Sequence, residues 1–305
     1  MAIYRILSLD GGGIRGVIEA TLLGRLELWC PGFLKRADLI AGTSTGGILA
    51  IGLAAGMTPA ELRELYVEHG AEIFTDPRVN VAQPRYDNRH LLRLLRERIG
   101  DRTLGSLQQR ILISSFDLDN QDRFAGIAPA GSRRTWKAKF FHNYPNDDSD
   151  ARELAVDVAL RTSAAPTYFP IVDGFVDGGV IANNPSMCAL AQALDPKRGA
   201  GRVLAEVRIL SLGTGQNQAY IETDDTDWGL AQWMPHLVGV MIDGAMDLAN
   251  YQCRQILGHY YHRLNPLLDD DYGLDAVHRL SALNLLASEC EIDAAVTWLK
   301  THWFV

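Results

Sequence analysis

The chain has 305 residues, 47% of them hydrophobic and 22% charged, with a formal net charge of −8. That is ordinary globular usage, which excludes a disordered or collagen-like chain. The acidic balance argues against a nucleic-acid polymer as partner.

In chain order, Ile3–Leu9 predicts a strand that runs into a glycine run. Residues Ile14–Leu28 follow as a helix, Asp38–Ala41 as a short strand and Gly47–Ala55 as a second helix. Thr58-Pro59-Ala60-Glu61 predicts a helix start, with Thr58 as cap, Pro59 at the first helical position and Glu61 completing a capping box. Asn88–Ile99 is amphipathic, with Leu91, Leu92, Leu95 and Ile99 on one face. Ile111–Phe116 is strand-like and Asn143–Asp150 a polar loop. Asp150 is expected to cap a helix that runs to about Arg161. Phe175–Val176 ends at Asp177-Gly178-Gly179, and Val207–Leu212 is another apolar strand. The last ninety residues read as mainly helical.

Strands that alternate with helices predict an α/β fold with a largely parallel central sheet. No repeat or low-complexity linker divides the chain, so we expect a single domain over 1–305 with a helical C-terminal extension over 216–305. Leu39 to Met57 is uncharged for 19 residues, about the length of a membrane span. Its five glycines would make a poor isolated helix, so the run reads as buried strand, tight turn and buried helix.

Four cysteines (Cys30, Cys188, Cys253 and Cys290) lie far apart with no C-x-x-C pair, which suits a reducing compartment. An Asp follows within ten residues of the start, and no Asn-x-Ser/Thr sequon occurs. The expected location is therefore cytoplasmic.

Three stretches carry chemistry. Leu9-Asp10-Gly11-Gly12-Gly13-Ile14-Arg15-Gly16 places three glycines between a strand and a helix, where consecutive backbone N–H groups form an anion site. The same residues, as Gly11-x-Gly13-x-x-Gly16 with Asp38 about twenty residues on, match a dinucleotide-binding fingerprint. A nucleotide-binding oxidoreductase is thus an alternative, although Asp38 begins its strand where the fingerprint acid ends one. Gly42-Thr43-Ser44-Thr45-Gly46 is a G-x-S-x-G between a predicted strand and an apolar helix, the setting of a nucleophile elbow. Only two strands precede Ser44, too few for the α/β-hydrolase fold. None of the eight histidines sits in a turn after an apolar strand. Asp177 does, at an expected sheet edge with two glycines beside it, and is the better partner for Ser44.

Together these motifs resemble the patatin-like phospholipases. Arg161-Thr-Ser-Ala-Ala-Pro-Thr-Tyr-Phe169, Val180-Ile-Ala-Asn-Asn-Pro185 and Leu210-Ser-Leu-Gly-Thr-Gly215 fit as well, so the likeness runs in order from residue 6 to about 215. The resemblance implies a three-layer fold and a Ser44–Asp177 dyad. It implies an oxyanion hole at Gly11, Gly12 and Gly13 with Arg15 nearby, and Gly42 and Gly46 flanking the elbow. It also implies calcium-independent hydrolysis of acyl esters in phospholipids or lysophospholipids, with no cofactor. A transient membrane contact, and an anionic small-molecule activator as in some bacterial relatives, belong to the same expectation. A non-catalytic storage or interaction protein is the other alternative that the family offers. Asp117-Leu-Asp119-Asn-Gln121-Asp122 begins like a calcium loop but has Asp122 where glycine is needed.

Arg78 to Lys139 holds 13 basic residues against 6 acidic. Arg89, Arg93 and Arg96 form a helical stripe, read either as a solvated face or as a contact for anionic headgroups or an anionic effector. Trp136 and Phe140-Phe141 lie nearby and read either as interfacial or as core.

Overall fold

The computed structural model describes residues 2–79, 82–120, 134–224 and 226–305. Its centre is a seven-stranded sheet. The strands are β1 (Tyr4–Leu9), β2 (Leu39–Thr43), β3 (Arg110–Asp117), β4 (Lys137–His142), β5 (Phe175–Asp177), β6 (Val207–Leu212) and β7 (Tyr261–Leu264), in the order β4-β3-β2-β1-β6-β7. Strands β1, β2, β3, β6 and β7 are mutually parallel, while β4 and β5 run antiparallel to β3. β2 occupies one edge of β3 up to the pair Thr43↔Ser114, and β5 takes the next position with Ser115↔Asp177. β4 already pairs Ser114 and Ser115 from the other side, so β5 arrives head-on against the end of β2.

The helices are α1 (Gly16–Trp29), α2 (Thr45–Ala54), α3 (Pro59–Val67), α4 (Gly70–Ile73), α5 (Arg89–Ile99), α6 (Ala155–Thr162), α7 (Gly179–Ala182), α8 (Ser186–Leu194), α9 (Leu230–Leu257), α10 (Leu280–Glu289) and α11 (Asp293–Trp298). Because alternate strand residues face opposite sides, the sheet builds two cores. Leu7, Leu9, Ile40, Ile111 and Ile113 face α1, α2, α3 and the C-terminal helices. Ile6, Leu39, Ala41, Leu112 and Ile209 face α8 and the end of α9. The result is the expected three-layer α/β arrangement. α2 is buried at every residue, which accounts for the uncharged run of the sequence. No helix among the described residues is long and apolar enough to cross a membrane.

Thr58 and Glu61 form the expected capping box. One expectation is corrected and three are sharpened. Asp150 does not cap α6; its carboxylate accepts from Lys139 Nζ at 2.5 Å and from the His142 N–H at 3.0 Å, and α6 starts at Ala155. On α5, Leu94 joins Leu91, Leu95 and Ile99 as a buried residue, one turn from Leu91, while Leu92 packs partly buried against the same core. Phe141 is core and Phe140 packs on the opposite core, so neither is a free interfacial group. The C-terminal part is more than helical, because β7 extends the sheet beside β6.

Candidate active site

The elbow follows from its glycines. Ser44 sits between β2 and α2 at φ 54°, in a region that side chains rarely adopt. A Cβ on Gly42 would strike the backbone of Gly46 and Gly47, and one on Gly46 would strike the backbone of Leu9 and Asp10. Only glycine fits at either place. The Ser44 N–H donates to Thr162 Oγ1 at 2.9 Å, and that hydroxyl donates to Ser114 O at 2.6 Å. The strained turn is thereby tied to β3.

The Ser44 hydroxyl lies close enough to the Asp177 carboxylate to lower its pKa, and both side chains are buried. Asp177 is buried at the end of β5, and its Oδ1 accepts the Gly179 N–H at 2.6 Å. Burial pushes its pKa up to about 6, and the nearby Ser44 hydroxyl and the Gly179 N–H restrain the rise. Asp177 reaches the sheet's C-terminal edge by a different route from the expected one: β5 runs inward, against the parallel strands.

Both residues open into a cavity of about 580 Å³. Gly11, Gly12, Gly13 and Arg15 line it too, so every residue expected at the site except the two elbow glycines reaches the same space. Ile48, Phe74, Leu91, Phe169 and Val238 make much of its wall apolar, and no histidine lines it. The Gly11 N–H is already given to Asn183 O at 3.0 Å, which removes it from the expected set of three oxyanion donors. The Gly12 and Gly13 N–H groups meet no acceptor among the described residues, nor does that of Thr45, the first residue of α2. Gly11 O accepts from Asn183 Nδ2 at 3.3 Å and from Thr214 Oγ1 at 2.8 Å, so the loop is held from two sides. Arg15 Nε donates to Gly12 O at 3.4 Å, and burial pulls the guanidinium below its usual pKa despite Asp243 and Asp271 nearby.

Behind the loop lies a buried charge cluster. Arg263 donates to both Asp10 carboxylate oxygens, at 2.5 and 3.0 Å, and to Ser211 Oγ at 2.7 Å. Glu19 Oε1 accepts the Asp10 N–H at 2.7 Å, and burial with Asp10 beside it pushes Glu19 well above the usual carboxylate range. Asp10 O accepts the Gly46 N–H at 3.1 Å, which joins this cluster to the elbow.

Thr162, Asn183 and Arg263 are the supporting residues that sequence reasoning missed. Thr162 and Asn183 sit in stretches that resembled the family, which was the available signal. Arg263 had none.

The dinucleotide reading loses its acid: the Asp38 carboxylate accepts the Arg5 N–H at 2.8 Å, at the foot of β2. The basic stripe on α5 is largely neutralised, with Arg93 paired to Glu72 and Glu97, and Arg89 to Asp87. Gln121, Asp122 and the basic residues Arg123 and Arg133 lie outside the described residues.

The family description "Patatin-like phospholipase" matches residues 7–190. This chain belongs to the patatin-like phospholipase family. A cGAMP-activated phospholipase of Pseudomonas aeruginosa is 34% identical over 298 residues, covering 91% of this chain and 83% of the relative. Patatin-like protein 2 of Oryza sativa subsp. indica is 33% identical, covering 75% of this chain and 65% of the relative. Among solved structures, VipD from Legionella pneumophila aligns over 99% of this chain and 67% of that one, at 10% identity and a TM-score of 0.45. As a patatin-like phospholipase, this chain is a lipid ester hydrolase.

Proposed function

We propose that the chain hydrolyses acyl esters of phospholipids or lysophospholipids through Ser44 and Asp177, by way of an acyl-enzyme. The observation that carries this is Ser44 beside a buried Asp177 in one apolar cavity, next to loop amides that meet no acceptor among the described residues and with no histidine in its lining. Asp177 accepts the Ser44 proton as Oγ attacks the ester carbonyl, and returns it to the leaving alkoxide. With a pKa of about 6 it is mostly ionised at neutral pH, yet far more basic than an exposed aspartate. The amides of Gly12, Gly13 and Thr45 are the donors that meet the oxyanion; one such donor is typically worth about 10²–10³ in rate. Water then attacks the acyl-enzyme with Asp177 as base, releasing free fatty acid. The apolar wall suits the acyl chain.

The reading includes a cytoplasmic enzyme that meets a membrane surface transiently. Activation by an anionic small molecule rests on the name of the Pseudomonas relative, and ester hydrolysis with and without added cGAMP tests it. For the dyad, a fluorophosphonate probe should label the wild type once and leave Ser44→Ala unlabelled. Asp177→Asn should bind lipid without turnover. Labelling and hydrolysis that survive in Ser44→Ala would overturn the assignment.

A further inference from the structure

α9 is 28 residues long, and among the described residues its buried side chains, Met246, Ala249, Cys253 and Leu257, all fall in the second half at helical spacing. Its first half carries two apolar stripes. Met234, Val238 and Ile242 face the cavity that holds Ser44. Beside these three, along the same helix, Leu230, Trp233, Leu237, Val240, Met241 and Leu248 form an adjoining outer stripe. They lie in the open; Leu230 is 70% exposed, Met241 61% and Val240 51%. Contiguous exposed apolar surface of this kind marks an interaction site.

We propose that this outer stripe of α9 is the surface by which the enzyme enters a lipid interface, and that the lipid is neutral or zwitterionic rather than anionic. The proposal rests on the lipid-hydrolase reading above. Two observations choose the occupant. The stripe shares its helical turns with Met234 and Val238, which line the cavity while more than half exposed, so whatever covers it stands where the cavity opens to solvent. Charge then selects the lipid. No Lys or Arg occurs between Arg208 and Arg254, while Glu222, Asp224, Asp225, Asp227, Asp243 and Asp247 do. A surface so composed gains nothing from anionic headgroups and binds by apolar burial. The membrane contact therefore moves from the basic segment, where the sequence suggested it, to α9.

The test uses phosphatidylcholine vesicles and Ser44→Ala protein, so that no turnover alters them. This protein should co-float with the vesicles, with less than about a twofold change between roughly 50 and 500 mM salt. Adding Leu237→Gln, Val240→Gln and Met241→Gln should lower partitioning at least about tenfold, since three apolar side chains no longer leave water. On the Ser44 background the same triple change should cut vesicle hydrolysis in parallel and leave a short soluble ester unaffected, which also shows that the variant folds. A second set, Leu230→Gln with Leu248→Gln, should act in the same direction.

Partitioning equal to that of the unsubstituted protein, or binding that requires anionic lipid, would overturn the proposal. So would light scattering that shows a dimer broken by the triple change while partitioning persists, which would assign the stripe to a second copy of the chain. Failure of the dyad reading is distinct: it appears as ester hydrolysis in Ser44→Ala and leaves the flotation result to judge α9 alone.

Discussion

The Ser44 hydroxyl lies beside the Asp177 carboxylate where β2 stops and β5 arrives from the opposite direction along the same edge of β3. One residue of register separates their anchors, Ser114 and Ser115. Burial then does what a neighbouring imidazole does in a triad: it makes a base strong enough to take a serine proton.

Activity should follow the ionisation of Asp177. Its protonated form cannot accept the Ser44 proton, so kcat/KM for a soluble ester should rise with pH, reach half its plateau near 6 and flatten above about 7. A pH–rate profile checks this. A midpoint near 4 would mean that the carboxyl is not perturbed, and the base would have to be sought elsewhere.

The same burial costs stability. A carboxyl whose folded pKa lies above its unfolded value favours the fold fully below about pH 4, and loses that contribution as pH rises through 6. At pH 7 the ionised, buried Asp177 therefore weighs against folding. Asp177→Asn should be inactive yet more stable than the wild type by roughly 1–3 kcal/mol at pH 7, a gain that disappears near pH 4. Denaturant unfolding at the two pH values reads the difference.

The strand–glycine–helix passages were legible in the residues themselves. Gly42 and Gly46 flank a serine that only a strained turn can present, and the 3.6-residue pattern of α5 was readable but for one leucine. The pairing of Ser44 with Asp177 was reachable as a conjunction of motifs. Its geometry was not, because β5 is three residues long and its antiparallel direction is set by β3, some sixty residues earlier. Arg263 was invisible for a similar reason: its role exists only after β7 packs beside β6 and carries it beneath Asp10. The outer stripe of α9 could be read only as more helix, since its exposure depends on where the body of the protein ends.

Arg89, Arg93 and Arg96 should be dispensable for lipid turnover. Two of the three already face carboxylates, at 2.6 Å for Arg93–Glu72 and 2.7 Å for Arg89–Asp87. Exposed pairs of this kind stabilise by about 0–1 kcal/mol and leave little net field. Changing all three to Gln should alter hydrolysis of anionic vesicles by less than about twofold. A salt-sensitive loss on anionic vesicles, with a soluble ester unaffected, would restore the stripe as a headgroup contact.

Arg263 should matter far more than its distance in sequence suggests. Its side chain and that of Asp10 are almost wholly out of water, and Glu19 adds a second buried carboxyl that only Arg263 among the described residues offsets. Arg263→Met removes the partner that most offsets the Asp10 charge, leaving the smaller effect of Arg15, and breaking a buried pair from one side costs about 3–5 kcal/mol. Adding Asp10→Asn takes away the stranded charge, so the double variant should recover at least about 1 kcal/mol of that loss. Activity should follow stability only in part. Asp10 O holds the Gly46 N–H, and Asp10 leads directly into the glycine loop, so Arg263→Met should lower kcat on a soluble ester even where the protein is fully folded. Unfolding curves for both single variants and the double, with kcat measured well below the transition, separate the two effects. Equal losses in Arg263→Met and the double variant would show that Asp10 stays neutral in the fold and that the ion pair contributes nothing to it.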